Sequence, residues 1–414
     1  MNIFLAIIVG TIVFEYVLIF FSRQLNLKSL TTILPKEFIG FYDENEYAKS
    51  QNYTRTNSKF EHISSTFNLL LILVVIYFGL FDTLDQFVRS LEYSPILTGL
   101  IFFSIITIIN DILTMPFSLY SIFVIEEKFG FNKSTPKLYI MDKLKSYLLL
   151  LILGLPIISL ILYFFESSNN AWIYVWILMS LLSIIMPKIY TQFIAPMFNE
   201  FTPLEEGKLK DLITTYANDI NFPLTEIYVV DGSKRSAHSN AYFTGFGKNK
   251  RIVLFDTLMD NHTNEEILAI LAHEVGHYKK KHILKSMALS IIHSGIMLYV
   301  LNLFIKMPDL HRAFGMTANE PSIYAGLIFF ALLYAPIELV LAIIFNFISR
   351  KHEFEADEFS ALTLRNTSHL ILGLKNLTVK NLGNLTPHPF SVFLSYSHPP
   401  VLDRIHALEE INLN

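Results

Sequence analysis

The stretch TNEEILAILAHEVGHYKKKHILKSMALSIIHSGIMLYVLNLFI, Thr263 to Ile305, decides the reading of this chain. Its second half is a run of about 20 apolar residues, the length a helix needs to cross about 30 Å of hydrocarbon. Its first half opens with Thr263-Asn264-Glu265-Glu266, the pattern of a capping box. A helix is therefore expected through Ile267, Leu268, Leu271 and Val275. That helix carries His273-Glu274-Val275-Gly276-His277. Positions i and i+4 share one face of a helix, so two imidazoles can converge on one zinc ion with Glu274 beside its open position. Chance alone yields such a pattern about 2 times in 100 in a chain of this composition, so coincidence is a weak explanation. The competing reading is a surface helix whose polar residues face water, and the rest of the chain decides between them.

Working outward, six more apolar runs lie near Ile3–Phe21, Phe67–Phe81, Ile96–Val124, Tyr147–Phe165, Trp172–Pro187 and Ile323–Ile348, which with Ile283–Ile305 makes seven spans. The third is overlong, with a break expected at Pro116. The composition agrees: 52% of the 414 residues are hydrophobic and only 16% charged, against about a quarter charged in an ordinary soluble domain. The first run is read as a retained helix, because no basic segment precedes it, Glu15 interrupts it and Phe20-Phe21-Ser22 is a poor cleavage site. With no cysteine, any metal chemistry falls to His, Asp and Glu. A net charge of −4, with no arginine-rich tract or glycine-rich phosphate loop, argues against nucleic acid and nucleotide as partners.

Lysine and arginine alternate across the connections. Arg23, Lys28, Lys36, Lys49, Arg55 and Lys59 follow the first span, and Lys128, Lys133, Lys137, Lys143 and Lys145 follow the third, whereas the second connection has only Arg89 and the fourth has none. The positive-inside rule then puts the N-terminus outside and the fifth connection and the tail in the cytosol. The fifth connection is the one long water-soluble stretch between spans. Thr202-Pro203-Leu204-Glu205 reads as a helix start, with the helix running to about Tyr216. Glu226–Val230, Ala241–Phe246 and Arg251–Phe255 read as strands, the last two joined by a Gly247-Lys248-Asn249 turn.

A catalytic zinc site wants three protein ligands and an open position. Candidates for the third cluster in Arg350-Lys351-His352-Glu353-Phe354-Glu355-Ala356-Asp357, at the cytosolic end of the seventh span. If the helix continues, Glu353 and Asp357 share a face and Glu355 points roughly the opposite way. Glu353 as ligand leaves Asp357 to hydrogen-bond a zinc-bound imidazole, the support such histidines usually need. A charged juxtamembrane turn is the competing reading. Polar residues inside the spans (Glu15, Asn68, Asn110, Asp111, His293, Glu338 and Asn346) are costly in hydrocarbon and are expected to face a wet interior or a partner. A seven-span transporter would need the same, but its coupling residues should concentrate near the midplane rather than at helix ends.

At this point the sequence resembles the membrane zinc metalloproteases of the CAAX prenyl protease type, the Ste24 group of the M48 peptidases. Besides the histidine motif and Glu353-Phe354-Glu355-Ala356-Asp357, the resemblance rests on several separated blocks. These are Glu126 to Asn132, Ala195 to Asn199, Ser239 to Gly247 with Arg251 to Leu258, and Ser397-His398-Pro399-Pro400 with Arg404-Ile405. The resemblance implies a mainly α protein with seven transmembrane helices around a water-filled chamber and a cytosolic α+β, gluzincin-like zinc protease domain. It maps the ligands of one Zn2+ per chain onto His273, His277 and Glu353 and the catalytic glutamate, general base toward the attacking water, onto Glu274. His398 becomes a candidate oxyanion donor, against a loop histidine fixed between Tyr396 and two prolines. Arg404 is a candidate to ion-pair with Asp357 or another carboxylate and hold the tail against the site, against a solvated arginine. Asn240-Ala241-Tyr242-Phe243 is a candidate edge strand that pairs with an extended peptide substrate, against an ordinary buried hairpin.

The expected organisation is five spans in 1–187, the protease domain with its motif helix in 188–282, two spans in 283–349 and the rest of the protease domain, with the third ligand, in 350–414. The implied partners are the lipid bilayer and a peptide or protein substrate, lipidated in the prenyl-protease reading. Quality-control proteolysis of membrane proteins is the alternative. The implied location is the inner membrane for a bacterial chain and the endoplasmic reticulum membrane for a eukaryotic one.

Overall fold

A computed structural model of the chain describes residues 2–244, 250–316 and 321–413. Seven helices in it are long and apolar enough to cross a membrane: Ile3–Lys28, Glu44–Tyr77, Pro95–Phe129, Pro136–Ser167, Ala171–Phe198, His282–Phe304 and Ile323–Leu364. All seven expected spans are present, and most extend well past the apolar run that announced them. The second begins 23 residues before Phe67, at Glu44, where the Asp43 carboxylate accepts from the Glu46 amide at 2.7 Å. Apolar runs mark only the part of a helix that lies in lipid, whereas caps mark where the helix starts. The expected break at Pro116 does not occur. The helix runs through it and passes into a π-helical turn at Ser121–Glu126, since a transmembrane helix tolerates the missing amide when local adjustments and neighbours satisfy the freed groups.

Between the fifth and sixth spans lies a four-stranded sheet of order β1-β2-β4-β3, with β1 Phe201–Pro203, β2 Leu224–Val230, β3 Ala241–Thr244 and β4 Lys250–Phe255. β2 and β4 are parallel, and β1 and β3 flank them antiparallel. The helix start expected at Thr202-Pro203 is instead strand β1, with Thr202 opposite Val229, and helix α1 begins only at Lys208 (Lys208–Asp219). The segment gains a partner strand that a local pattern cannot see, and proline is tolerated there because β1 is an edge. The Gly247-Lys248-Asn249 turn and Phe246 lie outside the described residues. α2, Asn264–Lys279, starts with the capping box expected: the Thr263 hydroxyl accepts from the Glu266 amide and the Glu266 carboxylate accepts from the Thr263 amide.

Two cores result. Phe102, Leu162, Leu298, Phe314 and Phe329 fill one end of the bundle. Ile213, Ile252, Leu254, Ile267 and Leu271 pack α1, the sheet and α2 together, each contributing about 1.5–3 kcal/mol on leaving water. A smaller cluster of Phe38, Tyr42 and Tyr47 with Leu385 and Ile405 fastens the first connection to the tail. The tail itself supplies α3 Ser368–Lys380, α4 Pro389–Ser395 and α5 Val401–Glu409.

Candidate active site

The site forms where α2 crosses the seventh helix. That helix does not stop at the apolar run's end near Ile348 but continues for four more turns to Leu364, which lifts Glu353 and Asp357 to the level of the histidine motif. Gly276 permits the crossing. A Cβ there would lie 3.0 Å from the Cα and 3.1 Å from the carbonyl oxygen of Ala356, so only a glycine allows the two backbones this close. The buried Ser360 hydroxyl donates to the Ala269 carbonyl at 2.9 Å and locks the crossing.

His273, His277 and Glu353 then converge. His273 Nε2 lies 3.2 Å from His277 Nε2 and 3.5 Å from Glu353 Oε2, and His277 Nε2 lies 3.3 Å from Glu353 Oε1. The three donor atoms fall within 4.8 Å of one another, an arrangement that could hold a metal ion. Two imidazoles and one carboxylate are the donor set of an open catalytic zinc site. A further fit comes from behind the donors: His273 Nδ1 meets Asp357 Oδ1 at 2.8 Å, which turns Nε2 toward the other donors.

Arg404, on α5, closes the site from the tail. Its Nη2 and Nε reach the two Asp357 oxygens at 2.6 and 2.8 Å, and its Nη1 lies 3.4 Å from Glu353 Oε2. Burial opposes charge on this guanidinium, but Asp357 and Glu353 outweigh it and hold its pKa above the usual value. Burial likewise opposes charge on His273, yet the hydrogen bonds from Asp357 and Glu353 raise that imidazole to about 9. At Glu274 burial outweighs the opposing pull of His273, His277 and Arg404 and pushes the carboxyl up, the direction that brings a carboxylate toward general-base duty near neutral pH.

The remaining sequence candidates lie around this centre. His398 is exposed, with Nε2 3.5 Å from Glu353 Oε1 and Nδ1 2.9 Å from the Ser397 hydroxyl. β3, with Ala241, Tyr242 and Phe243, is one of the two edge strands of the sheet, and exposed Asn240 leads into it. Phe243 packs edge-on against Tyr278, the residue after His277, so the strand runs beside α2. Its approach is fixed by His238, whose ring stacks on Phe131 at 3.9 Å and whose Nε2 lies 3.4 Å from Glu126 Oε2. Two blocks far apart in sequence thus meet.

Sequence reasoning gave no role to His282, His293 or His352. His293 pairs within the bundle, 3.3 Å from the Tyr334 hydroxyl and 3.5 Å from Glu338. His282 and His352 stack behind His277. The signal for His282 was its position five residues past His277, which local periodicity alone does not place on the same face.

The family profile described as the CAAX prenyl protease N-terminal region, with five membrane helices, matches residues 23–200, and that of peptidase family M48 matches residues 203–412. The chain belongs to peptidase family M48. It is a multi-pass membrane metalloendopeptidase acting on peptides or proteins. The CAAX prenyl protease 1 homolog of Dictyostelium discoideum is 36% identical over 94% of each chain. The human CAAX prenyl protease 1 homolog is 35% identical over 94% of this chain and 91% of its own. The crystal structure of Ste24p from S. mikatae superposes with a TM-score of 0.90 at 34% identity, covering 98% of both chains. The transport reading is set aside.

Proposed function

We propose that the chain is a zinc endopeptidase that binds one Zn2+ through His273, His277 and Glu353 and removes C-terminal tripeptides from prenylated Cys-a-a-X substrates, or from a bacterial equivalent. The observation that carries this is the convergence of those three donors beside half-buried Glu274, at the end of two membrane helices. Zinc there would lower the pKa of a water toward about 7 and polarise the scissile carbonyl. Glu274 takes the proton of the attacking water on its carboxylate and returns it to the leaving amine. Asp357 and Arg404 orient His273 and Glu353. His398, exposed at the rim, donates to the oxyanion, and Asn240, Ala241, Tyr242 and Phe243 present main-chain groups to an extended substrate.

The lysine pattern supports a cytosolic site with the N-terminus outside. Relatives over nearly the full length carry CAAX prenyl protease in their names, which supports a lipidated tail as substrate. The test compares purified protein, with and without zinc, on a farnesylated Cys-a-a-X peptide and its plain twin. Zinc-dependent cleavage that favours the farnesylated peptide supports the reading. Equal cleavage of both removes the lipid from it, and cleavage that survives chelation removes the metal.

A further inference from the structure

We propose that His282 and Glu355 form a positioning relay that fixes His277 in the tautomer able to offer Nε2 to the metal; the inference rests on the metal centre put forward above. His273 has a carboxylate directly on its Nδ1, but His277 does not. Its Nδ1 instead faces His282 Nδ1 at 3.1 Å, and His282 Nε2 faces Glu355 Oε2 at 3.0 Å. The proton positions follow from the end of the chain. An ionised carboxylate only accepts, so His282 Nε2 carries the hydrogen and donates it to Glu355. The other nitrogen of a neutral imidazole is then an acceptor, so His277 Nδ1 must donate to His282 Nδ1. This leaves a lone pair on His277 Nε2, the atom 3.3 Å from Glu353. Glu355, which helical periodicity puts away from Glu353, thus acts on the same centre through one intervening ring.

The surroundings hold the relay in place. His282 is 2% exposed, and His352 stacks on it with ring centres 3.9 Å apart and planes within 8°. The chain turns sharply to bring His282 under His277: Lys281 adopts left-handed backbone, φ 59°, between α2 and the sixth span. A lysine in that conformation is uncommon and persists where its surroundings demand it.

The experiment measures zinc affinity of the full-length protein by competition with a chromophoric chelator after metal removal. His282→Leu and Glu355→Leu are each expected to weaken zinc 10–100-fold, the usual cost of losing a group that orients a ligand. The double variant should be no weaker than His282→Leu, because Glu355 acts through His282. Glu355→Gln, whose amide oxygen still accepts, should stay close to wild type, and the visible spectrum of the cobalt-substituted protein should shift in the Leu variants but not in Glu355→Gln. Wild-type affinity in either Leu variant, or losses that multiply in the double variant, would overturn the relay. If His282→Leu does not fold, the partly exposed Glu355 decides: a Gln variant as weak as the Leu variant overturns the proposal. Wild-type protein that binds no zinc would instead overturn the metal-centre reading, so the two failures are distinguishable.

Discussion

Arg404 grips Asp357 with both arms of its guanidinium fork, at 2.6 and 2.8 Å, and Asp357 passes that hold to His273 at 2.8 Å. A helix in the last 14 residues of the chain therefore sets the orientation of an imidazole 131 positions earlier.

Arg404→Met leaves the buried Asp357 without its guanidinium partner and with only the His273 imidazole beside it. The expected cost is about 3–5 kcal/mol of stability, with zinc affinity down about 10–100-fold. Arg404→Lys is expected to recover little of this, because an ammonium cannot make the paired contact. Thermal unfolding and chelator competition on the two variants check it.

Gly276→Ala improves intrinsic helix propensity by about 1 kcal/mol yet should destabilise the protein. The added methyl meets Ala356 backbone at 3.0 Å and Phe359 Cβ at 3.2 Å, so the seventh helix must give way and carry Glu353 with it. A net loss of about 1–3 kcal/mol is expected, together with weaker metal retention. Zinc content after dialysis reads the second effect directly.

Glu274→Gln keeps the donors intact and should retain zinc at the wild-type level while turnover falls about 10²–10⁴-fold. Glu353→Ala should lose the metal. Elemental analysis beside a peptide-cleavage assay separates the two outcomes.

Metal uptake should depend on pH through His273. Its folded pKa of about 9 lies above the ordinary value of 6.5, so the metal-free native state holds a proton at pH 7 to 8 that the unfolded state lacks. The resulting stabilisation of metal-free protein is complete below about pH 6.5 and disappears as pH rises through about 9. Metal binding must displace that proton, so apparent zinc affinity should rise about tenfold per pH unit up to about pH 9. Melting of chelator-stripped protein and zinc titrations between pH 6.5 and 9 test both halves.

The seven spans and the histidine motif were legible because each rests on a local regularity: a run of apolar residues, or a 3.6-residue period carrying two histidines. The capping box at Thr263 was legible for the same reason. The pattern at Thr202 failed because the backbone found β2 instead, a pairing between segments more than 20 residues apart. Arg404 on Asp357 was named as a candidate, but only three-dimensional closure distinguishes it from a solvated arginine. His282 was missed because its connection to His277 passes through a left-handed turn at Lys281. Gly276 was quoted as part of a motif, yet its reason is the opposite helix's backbone.

The 42-residue seventh helix has Pro336 in its interior and still runs unbroken from the apolar span to Glu353. Glu353 stands about 26 Å beyond that proline at 1.5 Å per residue, so a bend of about 5° there swings the carboxylate by about 2 Å. Ligand distances tolerate about 0.2 Å. The rod is a lever arm from the apolar span to the His273, His277 and Glu353 cluster, so a small change of angle at Pro336 is magnified at the carboxylate.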